Sequence, residues 1–175
     1  MKTKDMTLIA VTASIICVLG PLTVQAGPVP LSLATFGVYL SGAILGKKRG
    51  TAAVALYLLI GMAGIPVFSG FGAGFQKLAG VTGGYLVGYL PCAFLTGLGA
   101  ELKFQRMKRG WLFPLLMAAG TVILYLAGTL WFMVQTGNTA GAALSLCVLP
   151  FLPGDAVKIA AVSLLAGPVR KAVLH

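Results

Sequence analysis

Apolar residues gather along this chain into six blocks separated by short polar or Gly/Pro-rich stretches. The blocks run Thr7–Val24, Leu31–Leu45, Thr51–Ile65, Gly83–Leu102, Trp111–Val134 and a broken one, Ala142–Ala166. A helix that crosses a bilayer needs roughly 20 mainly apolar residues. The shorter, Gly-rich blocks suit closely packed or tilted spans. The pattern predicts an all-α integral membrane protein, a compact bundle of six transmembrane helices with the sixth broken near Pro150–Gly154. It predicts a single transmembrane domain over residues 1–175.

Charge placement then gives a direction. Lys2 and Lys4 precede the first block, and Lys47, Lys48 and Arg49 lie between the second and third. Lys103, Arg106, Lys108 and Arg109 lie between the fourth and fifth, and Arg170 and Lys171 follow the sixth. Cytoplasmic loops are the ones enriched in Lys and Arg. Both termini are therefore expected in the cytoplasm, with only Lys77 and Lys158 unexplained. Asp5 and Glu101 fall near cytoplasmic ends, which leaves Asp155 as the one acid of the outer half.

Composition agrees. Hydrophobic residues make up 58% of the 175 and charged residues only 9%, far below the quarter or so usual in soluble domains. The net charge of +10 does not indicate nucleic-acid binding, because the basic residues sit in clusters between apolar spans. Cys17, Cys92 and Cys147 have no metal-ligand or CxxC spacing and read as small buried hydrophobes. The Val-Gln-Ala near residue 26 resembles a signal-peptidase site, but the first block is expected to remain as a packed helix.

The sixth block holds the chemistry. In "LPFLPGDAVKIAAVSLLAG" (149–167), Pro150 and Pro153 disfavour continuous helix. The expectation is a short helix over Ala142–Leu149, a turn at Phe151–Gly154 and a second helix starting near Asp155. Asp155 would cap that helix, with Lys158 on the same face at i+3. The pair is either a structural cap with its salt bridge or the polar part of a cavity that opens outward. Broken helices that aim an N-terminus at a solute favour the second reading.

Two outer connections add to it. "QAGPVPLSLAT" (25–35) reads as a rigid, extended link. "GIPVFSGFGAGFQKLAGVTGGYL" (64–86) carries seven glycines, with Phe68, Phe71 and Phe75 able to cover an apolar solute. It has no GxxxxGK[ST], so no ATP-hydrolysing site is visible. The sole histidine, His175, leaves no triad or metal cluster, and no enzyme is indicated.

Taken in order, "GPVPLSLATFGVYLSGAILGKKRGTAAVALYLLIGMAGIPVFSGFG", "GVTGGYLVGY" and "PFLPGDAVK" resemble the biotin-specific substrate-binding subunit (S component) of energy-coupling-factor (ECF) transporters. The resemblance spans nearly the whole chain. It implies high-affinity capture of biotin from outside, in the multi-pass setting of a prokaryotic plasma membrane. It also implies partnership with a transmembrane coupling protein and two ABC ATPase subunits, and biotin as transported ligand with no cofactor. Carried over by motif, the substrate-binding candidates are Asp155, Lys158, Tyr85, Thr35, Phe68 and Gly84. Ala10 and Ser14 would form the small-residue stripe against the coupling protein; incidental helix packing is the plain alternative. Ala34 stands where the family often has Gln, and Val81 where it often has Pro. Lys158 either neutralises Asp155 or donates to the solute. An S component for a different vitamin and a stand-alone secondary transporter remain the competing functions.

Overall fold

A computed structural model describes residues 3–24, 29–103 and 111–174. Lys2, Gln25–Pro28, Arg106, Lys108, Arg109 and His175 lie outside them. The elements are α1 (Thr3–Leu19), a two-stranded hairpin β1 (Thr23–Val24) and β2 (Leu31–Ser32), α2 (Ala34–Met62) and α3 (Phe75–Ala79). They continue with α4 (Gly83–Glu101), α5 (Leu112–Thr136), α6 (Ala140–Cys147) and α7 (Leu152–Leu174).

α2 is one element in name only. Gly46 takes φ 83°, ψ 179°, a conformation essentially confined to glycine. A Cβ on Gly50 would lie 2.7 Å from the Ser41 carbonyl and 2.8 Å from the Gly42 Cα. Eight residues of straight helix span about 12 Å at 1.5 Å each, so the chain has doubled back. The two arms, either side of Gly46, are the second and third spans that the sequence predicts. With α1, α4, α5 and the broken α6–α7 they complete six crossings.

The core is built on the arms of α2, on α4 and on α5, where Tyr39, Val54, Tyr57, Cys92, Phe113, Met117 and Leu124 are fully or almost fully buried. Small residues let the spans approach: the Gly97 backbone lies directly against the Gly46–Lys47 turn. Outward, large apolar side chains stand exposed, among them Val122, Leu126, Leu130 and Val134 on α5 and Val157 and Leu164 on α7. Such a continuous apolar exterior needs lipid rather than water. The chain is a multi-pass membrane protein.

Charge gathers at one end, called here the basic end. Arg49 pairs with Asp5 at 3.2 Å. Glu101 receives the Lys47 N–H at 3.1 Å and its ammonium at 3.4 Å. The buried Arg170 donates to the Ala43 carbonyl at 3.0 Å. The guanidinium thus ties the end of α7 to the first arm of α2.

Two expectations need correction at the opposite end. α1 stops at Leu19, and Val24, predicted inside the first span, is in a strand. In the link predicted as extended, Leu31–Ser32 are strand and pair antiparallel with Thr23–Val24, Thr23 opposite Ser32, which satisfies backbone groups that an unpaired extended segment leaves open. The turn in the sixth span falls at Val148–Phe151 rather than Phe151–Gly154, and α7 begins at Leu152. Pro153 therefore lies in the first turn, where its missing N–H has no helical partner to lose.

Candidate solute-binding site

The chain places an acid and an amine one turn apart at the start of α7, then surrounds both. Asp155 is 3% exposed, and such a carboxylate persists in its charged form only if its oxygens are paired. Oδ1 accepts from Lys158 Nζ at 3.0 Å and from Thr35 Oγ1 at 3.3 Å. Oδ2 accepts from Tyr125 Oη at 2.7 Å. No helix N–H is among these partners, and the Asp155 N–H already donates to the Phe151 carbonyl at 2.9 Å. Asp155 is therefore no backbone cap, contrary to expectation; it is the hub of a side-chain network.

Lys158 is equally committed. Its ammonium reaches the Ser32 carbonyl at 2.9 Å, Thr35 Oγ1 at 2.7 Å and Asp155 Oδ1 at 3.0 Å. An ammonium has three N–H donors, so each has an acceptor. In this arrangement Lys158 neutralises Asp155 and anchors α7 to the hairpin. Ser32 supports that anchor: its buried hydroxyl donates to the Gly20 carbonyl at 2.8 Å and accepts the Ala34 N–H at 2.9 Å.

A small, largely enclosed cavity adjoins the network. Val29, Pro30, Ser69 and Thr82 lie on one part of its wall, and Leu86, Tyr89 and Leu124 on another. Thr35, Asp155 and Tyr125 give it a polar side, while Tyr85 and Phe151 give it an aromatic one. Tyr85 and Phe151 stack at 6.4 Å and 17°, and Phe151 meets Tyr125 edge-on at 6.5 Å. The Tyr85 hydroxyl donates to the Cys147 carbonyl at 3.1 Å, at the end of α6. Its ring lies so close to Gly128 that a Cβ there would overlap it. The free space is only about 30 Å³, roughly that of one water, so a vitamin-sized solute requires the surrounding segments to part.

Of the predicted residues, Thr35, Tyr85 and Asp155 line this cavity. Lys158 lies behind them, on a separate groove between the hairpin and α7. Phe68 does not cover the cavity. It is fully buried, edge-on to Tyr57 at 5.6 Å and directly over Gly61. Phe71 and Phe75 are exposed and are not in its lining. Gly84 serves packing, with the Trp131 side chain and the Ala127 carbonyl against it. Ala10 and Ser14 sit together on the exposed face of α1, the Ser14 hydroxyl donating to the Ala10 carbonyl at 3.0 Å. Sequence reasoning missed Ser32, Tyr89 and Tyr125. Tyr125 sits in an apolar span outside every quoted motif, whereas Tyr89 and Ser32 lie inside quoted stretches in which nothing local sets them apart.

A network of this kind can bind a mostly apolar molecule bearing neutral hydrogen-bonding groups. It offers no uncompensated charge, no acid–base pair with room between its members and, among the described residues, no metal-ligand cluster.

Comparison with known proteins follows the same line. The model of the BioY family matches residues 1–175. A probable biotin transporter of Pyrococcus horikoshii is 36% identical over 166 residues, covering 95% of this chain and 96% of that protein. The biotin transporter BioY of Thermotoga maritima is 38% identical over 153 residues, 86% of each chain. Among solved structures, the S component for biotin from an ECF-type ABC transporter superposes with a TM-score of 0.86. That match has 26% identity and covers 98% of this chain and 95% of the other.

Proposed function

The chain belongs to the BioY family, and from that premise we propose that it is the biotin-binding subunit of an ECF-type uptake transporter. It binds biotin from outside through the network around Asp155 and delivers it inward with a coupling protein and two ABC ATPase subunits. The basic end faces the cytoplasm, in keeping with its Lys and Arg clusters. The single observation that carries the reading is the buried, charge-neutral Asp155–Lys158–Thr35–Tyr125 network beside an aromatic wall.

The fit is chemical. Biotin has a polar ureido ring, an apolar sulfur-containing ring and a short chain ending in a carboxylate. The ureido group is neutral and brings two N–H donors and a carbonyl, which suits a site whose charges cancel. The apolar ring and chain suit Tyr85, Phe151, Leu86 and Leu124, the mainly apolar lining usual for small-molecule sites. Because the Lys158 donors are all occupied, the solute carboxylate is left for another part of the lining, which includes Ser69 and Thr82. Of the motif residues, Phe68 and Gly84 act through packing rather than by contact. The exposed Ala10–Ser14 stripe of α1 is the docking face for the coupling protein, since small residues let helix backbones approach closely.

Uptake of labelled biotin by a transport-deficient, biotin-requiring bacterium tests the proposal. Expression of the chain with a coupling protein and its two ATPases is expected to raise uptake well above that of the chain alone. Loss of this gain with a hydrolysis-dead ATPase completes the expected result. Full uptake by the chain alone, in cells without any such module, would instead establish a stand-alone transporter.

A further inference from the structure

We propose that Tyr125 is a solute-contact residue that presents the charge of Asp155 to the cavity, its phenol oxygen accepting a hydrogen bond from one ureido N–H. The inference rests on the biotin reading above and goes beyond the motif residues, none of which lies on α5.

The first reason is access. Asp155 lines the cavity, and three contacts already engage its carboxylate: Oδ1 by Lys158 and Thr35, and Oδ2 by Tyr125 at 2.7 Å. The Tyr125 oxygen lines the same cavity, next to Oδ2, and offers a solute donor a further acceptor there. The second reason is polarity. A phenol has one hydrogen and an oxygen that can also accept. Tyr125 gives its hydrogen to Asp155, so toward the solute it is an acceptor only. Donation to a carboxylate makes a short, strong bond, and hydrogen bonds in a chain polarise one another. The Tyr125 oxygen is thereby a better acceptor than an isolated phenol. A solute carbonyl at this point would meet only lone pairs, so the arrangement selects N–H over C=O.

The third reason is rigidity. Tyr125 is 8% exposed and is held edge-on by Phe151, which stacks on Tyr85. Its ring also forms part of the wall of a second, apolar cleft between α5 and α6, shared with Leu126, Leu130 and Leu144. Removing the ring would join the two spaces, so the informative change is Tyr125→Phe, which deletes the hydroxyl alone.

The test is a cycle between protein and ligand, read by equilibrium binding to the full chain in lipid nanodiscs. The ligands are biotin and its two mono-N-methyl ureido derivatives. For the parent, each methyl weakens binding. For Tyr125→Phe, the preference for biotin over one of the two derivatives is expected to shrink by roughly tenfold or more, the scale of a charge-assisted hydrogen bond. The preference over the other derivative stays as in the parent. Thr35→Val, which alters the Oδ1 side only, is expected to weaken all three ligands alike and to leave both preferences intact. Should the Phe variant not fold, Tyr125→Met, also without the hydroxyl and with a long flexible side chain that fills much of the ring's space, reads the same ratios. Unchanged preferences in a folded hydroxyl-less variant that binds biotin overturn the contact. A folded parent that fails to bind biotin overturns the functional reading, and the contact with it.

Discussion

Asp155→Asn abolishes measurable biotin binding, whereas Asp155→Leu combined with Lys158→Met restores the stability of the fold without restoring binding. Both halves follow from the same geometry. The Asp155 carboxylate is the acceptor for Lys158, Thr35 and Tyr125 together. Replacing one member of a buried ion pair leaves the other charged and uncompensated, at a cost of about 3–5 kcal/mol. In addition, an amide at position 155 can turn an N–H toward Tyr125, so that the phenol no longer donates there. A binding loss of two orders of magnitude corresponds to about 2.7 kcal/mol, less than that cost. The double variant removes both charges. Well-packed apolar replacements of a buried pair are often neutral or stabilising, so thermal unfolding in detergent returns to or exceeds the parent midpoint. Binding stays absent because the polar group that orients the solute is gone. If the double variant binds biotin as the parent does, the pair is structural and the site lies elsewhere.

Gly46→Ala is expected to be the most damaging single change at the basic end while leaving the site intact. Gly46 sits at φ 83°, ψ 179°, where a non-glycine residue costs about 1–3 kcal/mol in backbone strain. A Cβ there would also come within 2.8 Å of Glu101 Oε1, the atom that receives the Lys47 N–H. Displacing Glu101 opens the turn on which the two arms of α2 fold back, and with it the seat of Gly97 against that turn. Glu101→Gln keeps the glycine and an acceptor oxygen, so its effect is smaller, on the order of 1 kcal/mol. The measurement is thermal unfolding together with the binding-competent fraction. The unfolding midpoint falls for Gly46→Ala, while the protein that remains folded binds biotin with the parent affinity. A large loss of affinity in folded protein would mean that the turn is coupled to the site across the bundle.

These two positions mark what the sequence could and could not disclose. The six crossings and the basic end were legible because bilayer thickness and the Lys/Arg bias act on composition over many residues. Asp155 and Lys158 stood out because charge in an apolar span is costly enough to demand a reason. The turn at Gly46 showed only as a glycine before three basic residues, and the spans on either side were read correctly without it. What stayed hidden depends on contacts between distant segments. The partnership of Tyr125 with Asp155 joins α5 to α7, and that of Ser32 with Gly20 joins the hairpin to the end of α1. Neither leaves a mark in local spacing. Phe68 was misplaced for the opposite reason: a phenylalanine in a Gly-rich loop looks like a cover, yet Gly61 opens a slot that draws it into the core. α7 starts at Leu152, three residues before Asp155, because a proline in the first turn is tolerated and Pro153 does not break the helix.

The central claim is that the neutral network at the head of α7 is a site for biotin, and equilibrium titration of the purified full chain in lipid nanodiscs tests it most directly. Biotin is run beside a panel of other water-soluble vitamins. The account predicts saturable binding of biotin at one site per chain, tight enough to survive dilution, with no competition from the other vitamins. A folded chain that ignores biotin and binds another vitamin would contradict it.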